Sequence, residues 1–114
     1  MEHLGAKDFE GKRLRRPGTW VVVYLADWCP FCRNFQPVFE RFEGSGPFTC
    51  AIADVTDTSN SLWDNFAIDV VPTVIAFQDG ESIARLDGIS MVGLDAADLK
   101  RLRTLLPPGT STLR

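Results

Sequence analysis

Tyr24-Leu25-Ala26-Asp27-Trp28-Cys29-Pro30-Phe31-Cys32-Arg33 is the stretch on which the reading of this chain turns. An apolar run ends here, two cysteines follow with two residues between them, and an amphipathic segment begins. Thiols at that spacing can close a disulfide and open it again, or they can hold a metal. The segment just before them, Trp20-Val21-Val22-Val23-Tyr24-Leu25, is β-branched and aromatic without alternation, the pattern of a strand buried on both faces and therefore central in a parallel sheet. After them, Phe35, Val38, Phe39 and Phe42 recur at helical spacing and predict a helix from about Phe31 to Glu43, stopped by Gly44-Ser45-Gly46-Pro47. Cys29 would stand where that helix begins, where unpaired N–H groups and the positive end of the macrodipole favour an anion.

Outward from this unit the chain continues in the same alternation. Phe48 to Val55 reads as a strand, and Ser61 to Phe66 as a short helix with Leu62 and Phe66 on one face. Thr73 to Phe77 and Ser82 to Leu86 read as antiparallel strands joined through Gln78-Asp79-Gly80-Glu81, because Asp-Gly is a tight-hairpin signature. Asp95-Ala96-Ala97-Asp98 has the acidic first turn of a helix, with Leu99, Leu102 and Leu106 as its buried stripe up to Pro107-Pro108. Toward the N-terminus, residues 2 to 4 predict an edge strand and Asp8 to Leu14 a short helix with Phe9 in the core. Pro37 falls inside the long helix and removes a hydrogen bond to the Arg33 carbonyl.

The expected architecture is α/β, a central mixed sheet of four to five strands flanked by helices on both faces. One domain is expected over residues 1–108, with 109–114 as a disordered tail. At 114 residues, 45% hydrophobic and 24% charged, the composition is that of a single globular unit. A net charge of −3 argues against nucleic acid as the main partner. The one basic cluster, Lys12-Arg13-Leu14-Arg15-Arg16, is more simply a solvated segment than a phosphate or acidic-partner patch. The longest apolar run, Trp20 to Ala26, is too short to span a bilayer, so no membrane association is expected. Met1-Glu2-His3-Leu4-Gly5 has no basic region followed by an apolar run, which makes a cytoplasmic location the default expectation.

Three cysteines are too few for a disulfide framework, so the close pair reads as redox chemistry or metal. A structural zinc site would need a full tetrahedral set, and only Cys50, His3 and carboxylates remain, with no second close pair. Redox is the favoured reading, with Cys29 attacking a disulfide and Cys32 resolving the mixed disulfide. That chemistry requires the thiols alone; neither a cofactor nor a metal is expected. Cys50, inside a predicted strand, reads as a structural thiol.

These residues resemble the thioredoxin-like family. Trp28-Cys29-Pro30-Phe31-Cys32 is similar to its Trp-Cys-X-X-Cys active site, Pro37 to its helix-kinking proline, Val71-Pro72-Thr73 to its cis-proline segment, and Gly88 to the glycine after its last strand. The likeness extends from about His3 to Leu106. It implies a thioredoxin fold, a thiol–disulfide oxidoreductase acting through a redox-active Cys29–Cys32 disulfide, and a cis Val71–Pro72 bond in a loop facing the cysteines. It also implies a docking surface formed by Trp28, Pro30, Phe31, Val71, Pro72 and Ile89, against which ordinary packing is the plainer alternative for Trp28 and Phe31. Trp63 is open between packing and a partner contact. Protein disulfides or dithiols as substrates, an electron-donor reductase, a monomeric state and a part in electron transport and cell redox homeostasis belong to the same expectation.

Two departures limit it. The family's buried aspartate on the central strand is Val23 here, and its partner lysine has no counterpart, so Cys32 would lose its proton to water or to the leaving thiolate. Pro30-Phe31 is nearer the Pro-aromatic pair of glutaredoxins than the Gly-Pro of reducing thioredoxins. Glutaredoxin-like activity and a redox-sensing or partner-binding module are the alternatives.

Overall fold

The computed structural model describes residues 1–90 and 92–107. Among the described residues, seven strands and three α-helices follow one another as β1 (Glu2–Leu4), β2 (Phe9–Glu10), β3 (Arg13–Leu14), β4 (Thr19–Leu25), α1 (Pro30–Phe42), β5 (Thr49–Asp54), α2 (Leu62–Asn65), β6 (Thr73–Gln78), β7 (Glu81–Asp87) and α3 (Ala96–Arg103). Five strands form one sheet in the order β1-β5-β4-β6-β7. β4 is central, parallel to β5 on one side and antiparallel to β6 on the other, while β1 lies parallel to β5 and β7 antiparallel to β6.

The unbroken apolar run of β4 has the burial expected of it: Val21, Val22, Val23 and Tyr24 are all inaccessible, which requires cover on both faces of the sheet. On one face, Phe9, Tyr24, Phe66 and Phe77 form an aromatic cluster that ties the β2–β3 hairpin and α2 to the sheet. α1 packs against α3, with Phe35, Phe39 and Phe42 of α1 and Leu99 and Leu102 of α3 buried. The Asp79-Gly80 hairpin turn is present, both residues at positive φ (50° and 92°), and α3 starts on a capping box in which Asp95 and Asp98 each accept the other's N–H.

One expected element is wrong. Asp8 to Leu14 is not a helix but a 3-10 turn, Ala6–Asp8, followed by the β2–β3 hairpin. Phe9 and Leu14 explain why: five residues apart, they would point to different sides of a helix, whereas the hairpin pairs them directly and buries both. Gly11, at φ +59°, makes the turn between them. α2 is shorter than its predicted span, a single turn, and α3 ends at Arg103 with Leu106 beyond it, partly buried against the core. Pro37 lies inside α1 as expected. The tail expected to be disordered, 109–114, lies outside the described residues. Among those described, no helix is long and apolar enough to cross a membrane.

Candidate active site

Cys29 is the N-cap of α1, with extended backbone (φ −104°, ψ 111°), and Pro30 follows as the first helical residue, where a missing N–H costs nothing. A cap accepts hydrogen bonds from the first free N–H groups of its helix, and here the acceptor is sulfur: the Cys32 N–H donates to Cys29 Sγ at 3.1 Å. On its other side the Cys29 thiol donates to the Val71 carbonyl at 3.3 Å. Two segments far apart in sequence thus meet at one sulfur, and the Val71–Pro72 peptide at their junction is cis. Cys29 is 5% exposed and lines a surface groove, while Cys32, 2% exposed, lies behind it. Both are free thiols.

Burial, with a hydrogen bond to Cys29 as the next cause, pushes the Cys32 thiol up to about 12. The opposing influences are a hydrogen bond to the Ala26 backbone and the charge of Arg33. Among the described residues no carboxylate acts on it, and Val23 is a fully buried apolar residue paired with Ile52 and Val74. Among the described residues, too, no cluster of three histidine, cysteine or acidic side chains is placed to hold a metal ion.

The turn carrying the cysteines is fastened to the end of β5. Thr56 accepts the Asp27 N–H on its hydroxyl (2.9 Å) and the Trp28 indole N–H on its carbonyl (3.0 Å). Arg33 reaches back to the Asp27 carbonyl at 2.8 Å. These bonds hold Trp28 beside the groove although it is 52% exposed. Opposite, the Ile89–Gly93 bridge presents Ile89, 63% exposed, while Phe31 packs so closely on Gly93 (φ +84°) that a Cβ there would lie 3.1 Å from the Phe31 Cβ. Gly88 is still tighter, since a Cβ would stand 2.4 Å from the Pro72 carbonyl oxygen.

The structure brings the expected docking residues Trp28, Pro30, Phe31, Val71 and Ile89 to one groove of about 240 Å³ around Cys29; Pro72 is buried beneath it. It also brings there Trp63, which the sequence left open between packing and a partner contact, and three residues that sequence reasoning left out of the site, Asp69, Val70 and Ser90. Trp63 stacks on Trp28 with ring centroids 6.2 Å apart and planes 9° from parallel, and its N–H donates to the Val55 carbonyl at 3.1 Å. Trp63 is half-buried, one side packed against the core and the indole reaching the groove, so both of the roles its sequence left open are partly met.

The sequence pattern of the thioredoxin family matches residues 1–98. This chain belongs to the thioredoxin family. Thioredoxin from Coprinus comatus is 30% identical over 97 residues, covering 82% of this chain and 91% of that protein. Protein disulfide-isomerase A3 from Gallus gallus is 33% identical over 89 residues, 75% of this chain but 17% of that protein, so the chain spans about a sixth of that relative. Among solved structures, a point mutant of the thioredoxin from Halobacterium salinarum NRC-1 superposes with a TM-score of 0.65 at 27% identity, covering 81% of this chain and 80% of that one. The fold is therefore the thioredoxin fold, and Cys29 and Cys32 form a Cys-X-X-Cys pair at the start of its first long helix.

Proposed function

We propose that this thioredoxin-family chain is a protein thiol–disulfide oxidoreductase in which Cys29 is the nucleophile and Cys32 the resolving thiol. The observation that carries the reading is the position of Cys29 Sγ, on the helix N-cap, bonded by the Cys32 N–H and facing the groove. When Cys29 loses its proton, the bond to the Val71 carbonyl is lost and the bond from the Cys32 N–H strengthens, as expected for an ionised acceptor. The thiolate attacks one sulfur of a substrate disulfide. A Cys29–substrate disulfide forms, the substrate S–S bond breaks, and the departing sulfur takes a proton. Cys32 then attacks Cys29 Sγ, the second substrate sulfur leaves, and Cys29–Cys32 closes. The substrate gains two electrons and two protons, and the dithiol loses the same. With no internal carboxylate at Val23, the Cys32 proton goes to water or directly to the departing thiolate.

Trp28, Pro30, Phe31, Val71 and Ile89 would receive an extended substrate segment, with the buried Pro72 supporting the loop that carries Val71. The same reading includes an electron-donating reductase that reopens the disulfide, a monomeric chain, a cytoplasmic location where such a dithiol is kept reduced, and a part in electron transport and redox homeostasis. A second reading, a redox sensor that resolves slowly, is favoured by one observation: the high proton affinity of the enclosed Cys32.

Turnover of a protein disulfide with dithiothreitol as electron source tests the proposal. Wild type is expected to accelerate the reduction, and Cys29→Ser to lose at least about a hundredfold of the rate, as removal of a covalent nucleophile would give. Catalysis surviving in Cys29→Ser overturns the assignment.

A further inference from the structure

The groove around Cys29 carries charge of one sign. Most of its lining is apolar side chain or backbone, and among the described residues Asp69 is its one ionised side chain, with no lysine, arginine or histidine on its wall. The Asp69 carboxylate is exposed, and among the described residues no salt bridge or side-chain hydrogen bond engages it. On the same groove stand two parallel indoles, Trp28 and Trp63, each anchored by its N–H to a backbone carbonyl and therefore not free to rotate away. An indole face attracts a cation through its quadrupole, and a carboxylate attracts it through charge. An unpaired carboxylate and fixed indoles lining one groove are complementary to one kind of side chain: a long apolar stem ending in a positive charge.

We propose that Asp69, Trp63 and Trp28, which line this groove together, make it select polypeptide disulfides that carry an arginine or lysine beside the cysteine attacked by Cys29. The inference rests on the exchange reading above and adds the substrate class. Trp63 and Asp69 act here as specificity-determining residues; they touch the flanking side chain and not the reacting sulfurs. The acidic net charge of the chain, −3, works in the same direction at longer range by drawing basic segments toward it.

The test uses three disulfide-linked peptides identical except that the residue next to the reactive cysteine is arginine, alanine or glutamate. kcat/KM is measured for wild type, Asp69→Lys and Trp63→Leu, and each variant is judged by its own arginine-to-glutamate ratio, which a general loss of rate does not move. Wild type is expected to prefer the arginine peptide over the glutamate peptide by about tenfold, as an indole–cation contact reinforced by a carboxylate would give. The ratio should fall toward one in about 0.5 M salt, fall in Trp63→Leu, and invert in Asp69→Lys. Equal wild-type rates on the arginine and glutamate peptides, or a preference left intact by Asp69→Lys, overturn the proposal while leaving the exchange reading standing. Failure of wild type to reduce even the alanine peptide overturns the exchange reading, and this inference with it.

Discussion

Burial decides what the two interior thiols can do. Cys50 is inaccessible on β5, and its thiol is pushed up from 9.0 to about 12, first by desolvation and then by the negative charge of Glu43. Cys32 is raised to about the same value by burial and its bond to Cys29. For both, the folded-state value lies above the unfolded one. Below about pH 9 each thiol is protonated in both states and its contribution to stability is complete; above that, the unfolded chain releases a proton that the folded chain retains, and stability falls as pH rises toward 12. Chemical denaturation under reducing conditions should therefore show wild type losing stability between about pH 9 and about pH 10.5, and the advantage of wild type over Cys50→Ala narrowing across that range. At this scale the sequence was legible where chemistry forces a spacing, as in Cys29 and Cys32, and where a buried base is missing, as at Val23. It was not legible for Asp69, because an exposed aspartate has the same local signature whether or not it borders a groove.

Elements position the site through contacts that leave no room. The end of β7 passes so close to the Pro72 loop that Gly88 has no space for a side chain: its Cβ would meet the Pro72 carbonyl oxygen, a backbone atom, at 2.4 Å. Gly88→Ala should therefore push the loop away from Cys29, lowering stability by about 2 kcal/mol in denaturant titration and slowing disulfide reduction in the same samples. α2 shows the complementary device. A single turn is too short to hold itself, and Arg85 of β7 donates to the carbonyls of Phe66 (2.5 Å) and Ala67 (3.1 Å) at its end. Apolar periodicity predicted α1 and α3, whose buried faces repeat at helical spacing, and unbroken apolar runs predicted β4 and β6, which are buried on both faces. Asp8–Leu14 defeated that reasoning: its segment is too short to establish a period, and the pairing of Phe9 with Leu14 across a glycine turn decides the outcome.

At the scale of the whole molecule, topology gathers the site. β4 and β5 are parallel, so the turn after β4 and the segment after β5 emerge at the same edge; β6 runs antiparallel and starts there, and β7 ends there. Cys29, Trp63, Val71 and Ile89 converge because the three connections that carry them, after β4, between β5 and β6, and after β7, open on one end of the sheet. The sequence showed the motif, and its family likeness carried the facing loop. The Trp28–Trp63 stack is not written in either segment, since it depends on where the connection after β5 crosses the sheet edge.

The roles assigned to the two cysteines are tested most directly by mixing Cys32→Ser with a protein disulfide and mapping the product by mass spectrometry. A stable mixed disulfide on Cys29, released by dithiothreitol and absent when Cys29→Ser is mixed in its place, is the predicted result. An adduct carried on Cys50 instead of Cys29, or no adduct while Cys32→Ser still turns over at the wild-type rate, would contradict the account.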